Sequence, residues 1–265
     1  MFKIINYKID SKEDLIIAHF SDIHFAKKFN YKKLDIILEK MNELKPNYIC
    51  ITGDIVDDPK VTKTKELNNL IEFLEKLSKI SKVIVGLGNH DTYENSKWYL
   101  CLKDKVILLD NDSYEDKSTY FYGLTMNNKY YKHEDKNVYT LSKKVKELKL
   151  TNKYNILLVH SPINFDKEDI KKINKFDLVL TGHTHNGIMP HFVPGNRGLI
   201  APNKKILPNN VRNSFESGKS KVIISGGITK LSLKSGIFHL FNPFFASDLN
   251  YIYLKNVKKS QKNKL

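Results

Sequence analysis

The residues that could do chemistry fall into five short polar clusters: Asp22-Ile23-His24, Gly53-Asp54-Ile55-Val56-Asp57, Gly88-Asn89-His90-Asp91, His160-Ser161 and Gly182-His183-Thr184-His185. Carboxylate oxygen, amide oxygen and imidazole nitrogen together suit borderline transition ions such as Mn, Fe or Zn. Seven ligands of these types, Asp22, His24, Asp54, Asn89, His160, His183 and His185, are too many for one ion. Two ions about 3.5 to 4 Å apart, bridged by one carboxylate, would use them all, and such pairs activate water and clamp a phosphoryl group. A lone Asp or His after a strand is ordinarily a cap or a surface group, a reading that fits Asp58 and Asp91 but not seven matched ligands. His19, His133, His191 and His239 fall outside the clusters and are expected to be ordinary core or surface residues, with His191 the nearest to a substrate.

Each cluster follows an apolar run: Leu15 to Phe20, Tyr48 to Thr52, Val83-Ile84-Val85, Asn155 to Val159 and Leu178-Val179-Leu180. Runs of this kind are strands buried on both faces, and in open α/β sheets ligands bind outside the carboxyl ends of such strands. Between the first three runs lie two helical patterns. Tyr31 to Leu44 repeats Leu34, Ile37, Leu38, Met41 and Leu44 at helical spacing, and Lys65 to Ile80 repeats Leu67, Leu70, Ile71, Leu74 and Leu77. Strand, helix, strand, helix, strand predicts right-handed crossovers and a largely parallel inner sheet. The rest is weaker: an alternating edge strand over residues 2 to 8, and short strands at Val106 to Leu109, Tyr120 to Gly123, Val222 to Ser225 and Leu249 to Leu254. A helix is expected over Val138 to Leu148, Asn127 to Lys136 has no clear period, and Asn186 to Ser220 reads as one long loop.

A chain of 265 residues with this composition is read as one domain over residues 1 to 254, with a Lys-rich tail, 255 to 265, expected to be disordered. The formal net charge of +15 favours anionic partners. The Lys residues are spread along the chain, however, so a solvated surface is preferred and nucleic acid is a disfavoured partner. Cys50 and Cys101 imply no disulfide framework. With no signal-peptide core and no apolar run of about 18 residues, a cytoplasmic location is expected. The aromatic stretch Phe238 to Phe245 reads as packing against a sheet, with peripheral membrane or lipid contact, helped by the Lys-rich tail, as the other option.

In order, the five clusters resemble the signature of the calcineurin-like metallophosphoesterases, from about residue 15 to 190, and Gly198-Leu199-Ile200-Ala201-Pro202 and Phe241-Asn242-Pro243 are similar to elements of its stand-alone bacterial branch. The resemblance implies an α/β fold, a four-layer α-β-β-α sandwich with mixed sheets, and two metal ions at its top. Position by position it implies Asp22, His24 and His185 on one ion, Asn89, His160 and His183 on the other, and Asp54 as the bridge. It implies in-line attack on phosphorus by a metal-bound hydroxide, with His90 as general acid and Asp57 orienting its imidazole. The substrate class it implies is a phosphate ester, a phosphodiester first. The alternatives are a pyrophosphatase acting on a lipid-linked or nucleotide diphosphate, and a catalytically silent scaffold, against which the presence of His90 speaks. Arg197, in the loop after the last cluster, is a candidate phosphate contact.

Overall fold

The computed structural model describes residues 2–26, 28–58, 60, 66–93, 96–126, 144–162, 171, 173–200, 202, 206–229 and 245–256. Side-chain alternation inside the apolar runs builds the layers, because successive residues of a strand face opposite sides of the sheet. Ile17, Cys50 and Ile84 point one way and meet Ile156, Leu158, Leu178 and Leu180 of a second sheet. Their neighbours Ala18, Ile49, Ile51, Val83 and Val85 point the other way, onto two helices. In the second sheet Leu157, Val159 and Val179 face outward against Val145, Leu148, Ile173 and Phe176. Each fully buried apolar side chain contributes about 1.5 to 3 kcal/mol, so apolar surface on both faces of both sheets is the main term holding the layers together.

The first sheet runs β1 (Phe2–Ser11), β12 (Ser247–Asn256), β2 (Leu15–Phe20), β3 (Tyr48–Thr52), β4 (Lys82–Gly86), β5 (Ile107–Leu109). β2 to β5 are parallel, and β12 is antiparallel to β2 and parallel to β1. Helices α1 (Lys32–Leu44) and α2 (Glu66–Ile80) make the crossovers and cover its outer face. The second sheet runs β10 (Ser214–Ser217), β11 (Ser220–Ile224), β9 (Leu178–Thr181), β8 (Tyr154–Val159), β7 (Thr119–Leu124), β6 (Asp112–Glu115). Its four central strands are parallel and its two edges antiparallel.

Several sequence expectations need correction. Segment 186 to 220 is not one loop: it contains β10, paired with β11 from Ser214↔Ile223 to Ser217↔Ser220. The polar edge strand β6 was not anticipated, since an edge needs no apolar alternation where its outer side meets solvent. β12 continues to Asn256, past the expected boundary at 254, because its backbone pairs with β1 as far as Ser11↔Asn256. Of the predicted helix Val138 to Leu148, residues 144–147 are helical and 138–143 lie outside the described residues. Asn127 to Lys136, residues 257–265 and Phe238 to Phe244 also lie outside them, whereas Phe245 is buried.

Candidate metal centre

β2, β3, β4, β8 and β9 all end at the same edge, and the loops that leave them are laced together by backbone hydrogen bonds. Asp22 N donates to Gly53 O at 3.0 Å, His24 N to Asp54 O at 3.0 Å, Gly182 N to His160 O at 2.7 Å and Ile228 N to Ser21 O at 3.0 Å. The chain turns sharply there. Asp22 (φ 52), His24 (φ 47), Asp54 (φ 50), His183 (φ 68) and His185 (φ 45) are all left-handed, a conformation that costs a non-glycine residue about 1 kcal/mol or more and recurs at functional sites. Five of the seven expected ligands carry this strain. The surrounding loops hold it in place so that side chains leaving separate strands converge.

Asp54 is at the centre. Its Oδ2 lies 3.1 Å from His160 Nε2, 3.7 Å from His24 Nε2 and 4.0 Å from His90 Nε2. Asp22 Oδ1 lies 3.5 Å from His185 Nε2 and 3.7 Å from His24 Nε2. Asp22, His24 and His185 form one group whose donor atoms lie within 4.8 Å of one another, and Asp54, His160 and His183 form a second. His160 stacks edge-on against His183, with ring centroids 5.0 Å apart, and His24 stacks on His185 at 5.3 Å.

The donors around the two groups fix tautomers. His160 Nδ1 donates to the Thr52 carbonyl at 2.6 Å, which turns its Nε2 toward Asp54. His90 Nδ1 donates to the carbonyl of Asp57 at 2.5 Å, which leaves Nε2 toward the cluster. The Asp57 carboxylate is 3.9 Å from His90 Nδ1 but 3.2 Å from His24 Nδ1. Asp57 therefore orients His90 through its backbone carbonyl, while its carboxylate lies beside His24.

Electrostatics are arranged for positive charge. Burial opposes ionisation of Asp22 and Asp54, yet the surrounding imidazoles hold both carboxyls below the usual range. Burial also works against charge on His24, but the Asp22, Asp57 and Asp54 carboxylates lift it to about 10. His160 is lifted to about 9 by Asp54 and Asp22 against its own burial. Burial, with neighbouring His160, holds His183 down to about 3, in the neutral form that ligates metal. Asp22 Oδ1, Asn89 Oδ1 and His185 Nδ1 are buried with no hydrogen-bond partner among the described residues. Unsatisfied buried acceptors are costly unless a cation completes them, so this donor set fits divalent metal.

Behind the ligands is a supporting shell. Asp91 is fully buried and stitches two site loops, its Oδ1 accepting Ile55 N at 3.0 Å and Val56 N at 3.3 Å, its Oδ2 accepting Gly88 N at 2.9 Å. Asp58 closes a local turn, accepting Lys60 N at 2.8 Å. His19 is a buried core residue between Thr52 Oγ1 at 2.9 Å and Asn250 at 3.2 Å. Asp248, missed in the sequence, accepts Gly226 N and Asn186 Nδ2, each at 2.8 Å, and so pins the residue after His185 to β12. A carboxylate inside the otherwise apolar run 249 to 254 and its flank was the available signal, since a buried charge needs partners. Arg197 is held by Asn209 Oδ1 at 2.6 Å and, among the described residues, is not one of the side chains lining the cavities that include His185.

A family model described as calcineurin-like phosphoesterase matches residues 15–187, the stretch that contains every ligand placed above. The chain belongs to the calcineurin-like phosphoesterase family. Relatives in this family include the metallophosphoesterase Cj0846 of Campylobacter jejuni, 31% identical over 225 residues, covering 82% of this chain and 54% of that one. Another is the metallophosphoesterase YkuE of Bacillus subtilis, 26% identical over 250 residues, covering 82% of this chain and 74% of that one. The chain thus spans about half the length of the Campylobacter relative. Among solved structures, a dimetal phosphatase from Danio rerio superposes with a TM-score of 0.48 at 10% identity, covering 82% of this chain and 88% of that one. No helix among the described residues is long and apolar enough to cross a membrane.

Proposed function

We propose that the protein hydrolyses a phosphate ester, with a phosphodiester as its preferred substrate, at a dinuclear centre of Mn, Fe or Zn. The observation that carries this reading is Asp54, whose Oδ2 lies within reach of both donor groups, 3.7 Å from His24 Nε2 and 3.1 Å from His160 Nε2. Asp22, His24 and His185 would hold one ion and Asn89, His160 and His183 the other, with Asp54 between them. When bound, such ions supply a water nucleophile at neutral pH and offset charge on the phosphoryl oxygens.

The chain's own residues do the rest. The Thr52 carbonyl holds the Nδ1 proton of His160, and the Asp57 carboxylate lies 3.2 Å from His24 Nδ1, so both rings would ligate through Nε2. In the hydrolysis the water oxygen bonds to phosphorus as the bond to the ester oxygen breaks. The departing oxygen takes its proton from Nε2 of His90, whose Nδ1 proton is retained by the Asp57 carbonyl. A diester needs room for two arms. Two cavities, of about 520 Å³ and about 210 Å³, meet at His24, His90 and His185.

The test is hydrolysis of bis(p-nitrophenyl) phosphate beside p-nitrophenyl phosphate by metal-stripped protein with Mn, Zn or Mg restored singly. Metal-dependent turnover favouring the diester is expected. Turnover without metal, or equal turnover by Asp54→Ala, would refute the assignment.

A further inference from the structure

The two cavities that meet at the metal centre differ in character. The larger is lined by Lys28, Phe29, Asn30 and Lys33 beside the cluster residues, so it presents two ammonium groups and one aromatic face. Lys33 Nζ is tethered to Ile228 O at 2.8 Å, which holds its charge at the site. The smaller cavity continues from Asp54, His90 and His183 onto Ile188, Ile200 and Pro202, with no ionisable side chain beyond the cluster among the described residues. Anything that fills it while a phosphoryl group sits on the ligands is an arm of the substrate itself.

The apolar wall does not stop at the cavity. Residues 198–200 and 206–208 form a short antiparallel pair, with Ile200 bridged to Ile206 and Leu207 N donating to Leu199 O at 2.9 Å. It crosses the loop after His185 so closely that a Cβ on Gly198 would stand 2.6 Å from Gly187 Cα. Ile206 and Leu207, paired with Ile200 and Leu199 at that wall, are exposed at 73% and 58%, and with Phe192 at 62% they are the three most exposed large apolar side chains among the described residues. Apolar residues concentrated beside a reaction site, rather than scattered singly, mark a surface that meets lipid or an apolar ligand. The net charge of +15 adds attraction to an anionic assembly.

Resting on the phosphoesterase reading, we propose that the substrate is an amphiphile drawn from a lipid surface: a phosphoester whose anionic polar arm faces Lys28 and Lys33 and whose apolar arm lies along Ile188, Ile200 and Pro202. Ile206 and Leu207 form the rim that touches the lipid. The physics is transfer of the arm from one apolar environment to another, so the cavity needs only to match what the lipid gives up.

The test uses monomeric alkyl p-nitrophenyl phosphates with methyl, butyl and octyl chains, beside bis(p-nitrophenyl) phosphate. The specificity constant kcat/KM should rise by up to about fourfold per buried methylene and level off once the chain outgrows the cavity. Ile200→Asp, at a position already 38% exposed, should flatten that rise. In sedimentation with phosphatidylglycerol vesicles, wild-type protein should co-sediment and the Ile206→Asp, Leu207→Asp double variant should stay in the supernatant. A flat chain-length series with bis(p-nitrophenyl) phosphate still hydrolysed would overturn this proposal and leave the phosphoesterase standing. So would failure of the wild type to bind vesicles. Loss of turnover on every ester would remove both.

Discussion

Gly88 sits against the Asp54 carboxylate so tightly that one methyl group should disable the proposed centre. A Cβ built on Gly88 would stand 2.2 Å from Asp54 Oδ1, 2.4 Å from Asp54 N and 2.9 Å from Asp54 Cγ. Ordinary contact begins at 3.4 Å, so Gly88→Ala must separate the two by about 1.2 Å. The Gly88 backbone does not need a left-handed φ, hence the effect is steric and falls on Asp54. Asp54 cannot absorb it freely, because Oδ1 accepts His90 N at 2.9 Å and the residue is buried on all sides. A shift of about 1 Å in a reacting constellation costs on the order of 10²-fold in rate. The associated overpacking costs about 1 to 3 kcal/mol, a loss of several degrees in Tm for a domain of this size. The assay is kcat on bis(p-nitrophenyl) phosphate at saturating Mn, with circular dichroism to verify folding. A folded Gly88→Ala protein with kcat within threefold of wild type would refute the placement of Asp54 at the centre.

Three further outcomes follow from the same geometry. His90→Ala should retain its metal while kcat falls about 10² to 10⁴-fold on esters with poor leaving groups and much less on p-nitrophenyl esters, since a stable phenolate needs little proton donation; equal losses on both would rule out proton transfer from His90. Asp91→Ala removes the acceptor of three buried backbone N–H groups and should lower stability by about 3 to 5 kcal/mol in urea melts. Asp91→Asn should cost less, because burial and the charge of Asp54 push the Asp91 carboxyl up to about 7 and its ionised form is already opposed. Burial likewise pushes Asp248 up to about 6 from 3.8. Between those values the unfolded chain has released the proton that the folded chain keeps, so this group's contribution to stability falls as pH rises through the window and is flat outside it. Compared in metal-free form, the advantage of wild type over Asp248→Asn should shrink by about 2 kcal/mol between pH 4 and pH 7, and no change would show that Asp248 is ionised throughout.

The site was more legible in the sequence than the fold around it. Asp22, His24, Asp54, Asn89, His160, His183 and His185 stand just after strands, so the apolar runs pointed to the candidate ligands. The second sheet was hidden by the same feature. In Tyr48-Ile-Cys-Ile-Thr52 and Asn155-Ile-Leu-Leu-Val159 nearly every position is apolar, and period-2 alternation is invisible when both faces are buried. β6 and β10 were illegible for the opposite reason: Asp112-Ser-Tyr-Glu115 and Ser214-Phe-Glu-Ser217 are short polar edges whose pairing is set by neighbouring strands. The left-handed backbone at Asp22, His24, Asp54, His183 and His185 runs against the local preference of those residues and is imposed by the packed loops. The division of Asp57 between His24 and His90 depends on differences of less than 1 Å, which no spacing encodes. The two cavities beside the cluster draw their linings from Lys28 and Lys33, before α1 and within it, and from Ile188 and Ile200 far along the chain, a pairing that no local pattern encodes.

Two ions sharing Asp54 are the core of the proposed chemistry, and the most direct measurement is a titration of metal-stripped protein with Mn while bis(p-nitrophenyl) phosphate hydrolysis is followed. The rate should climb to a plateau at two equivalents of Mn per chain. A plateau at one equivalent, or a rate that does not depend on Mn at all, would contradict it.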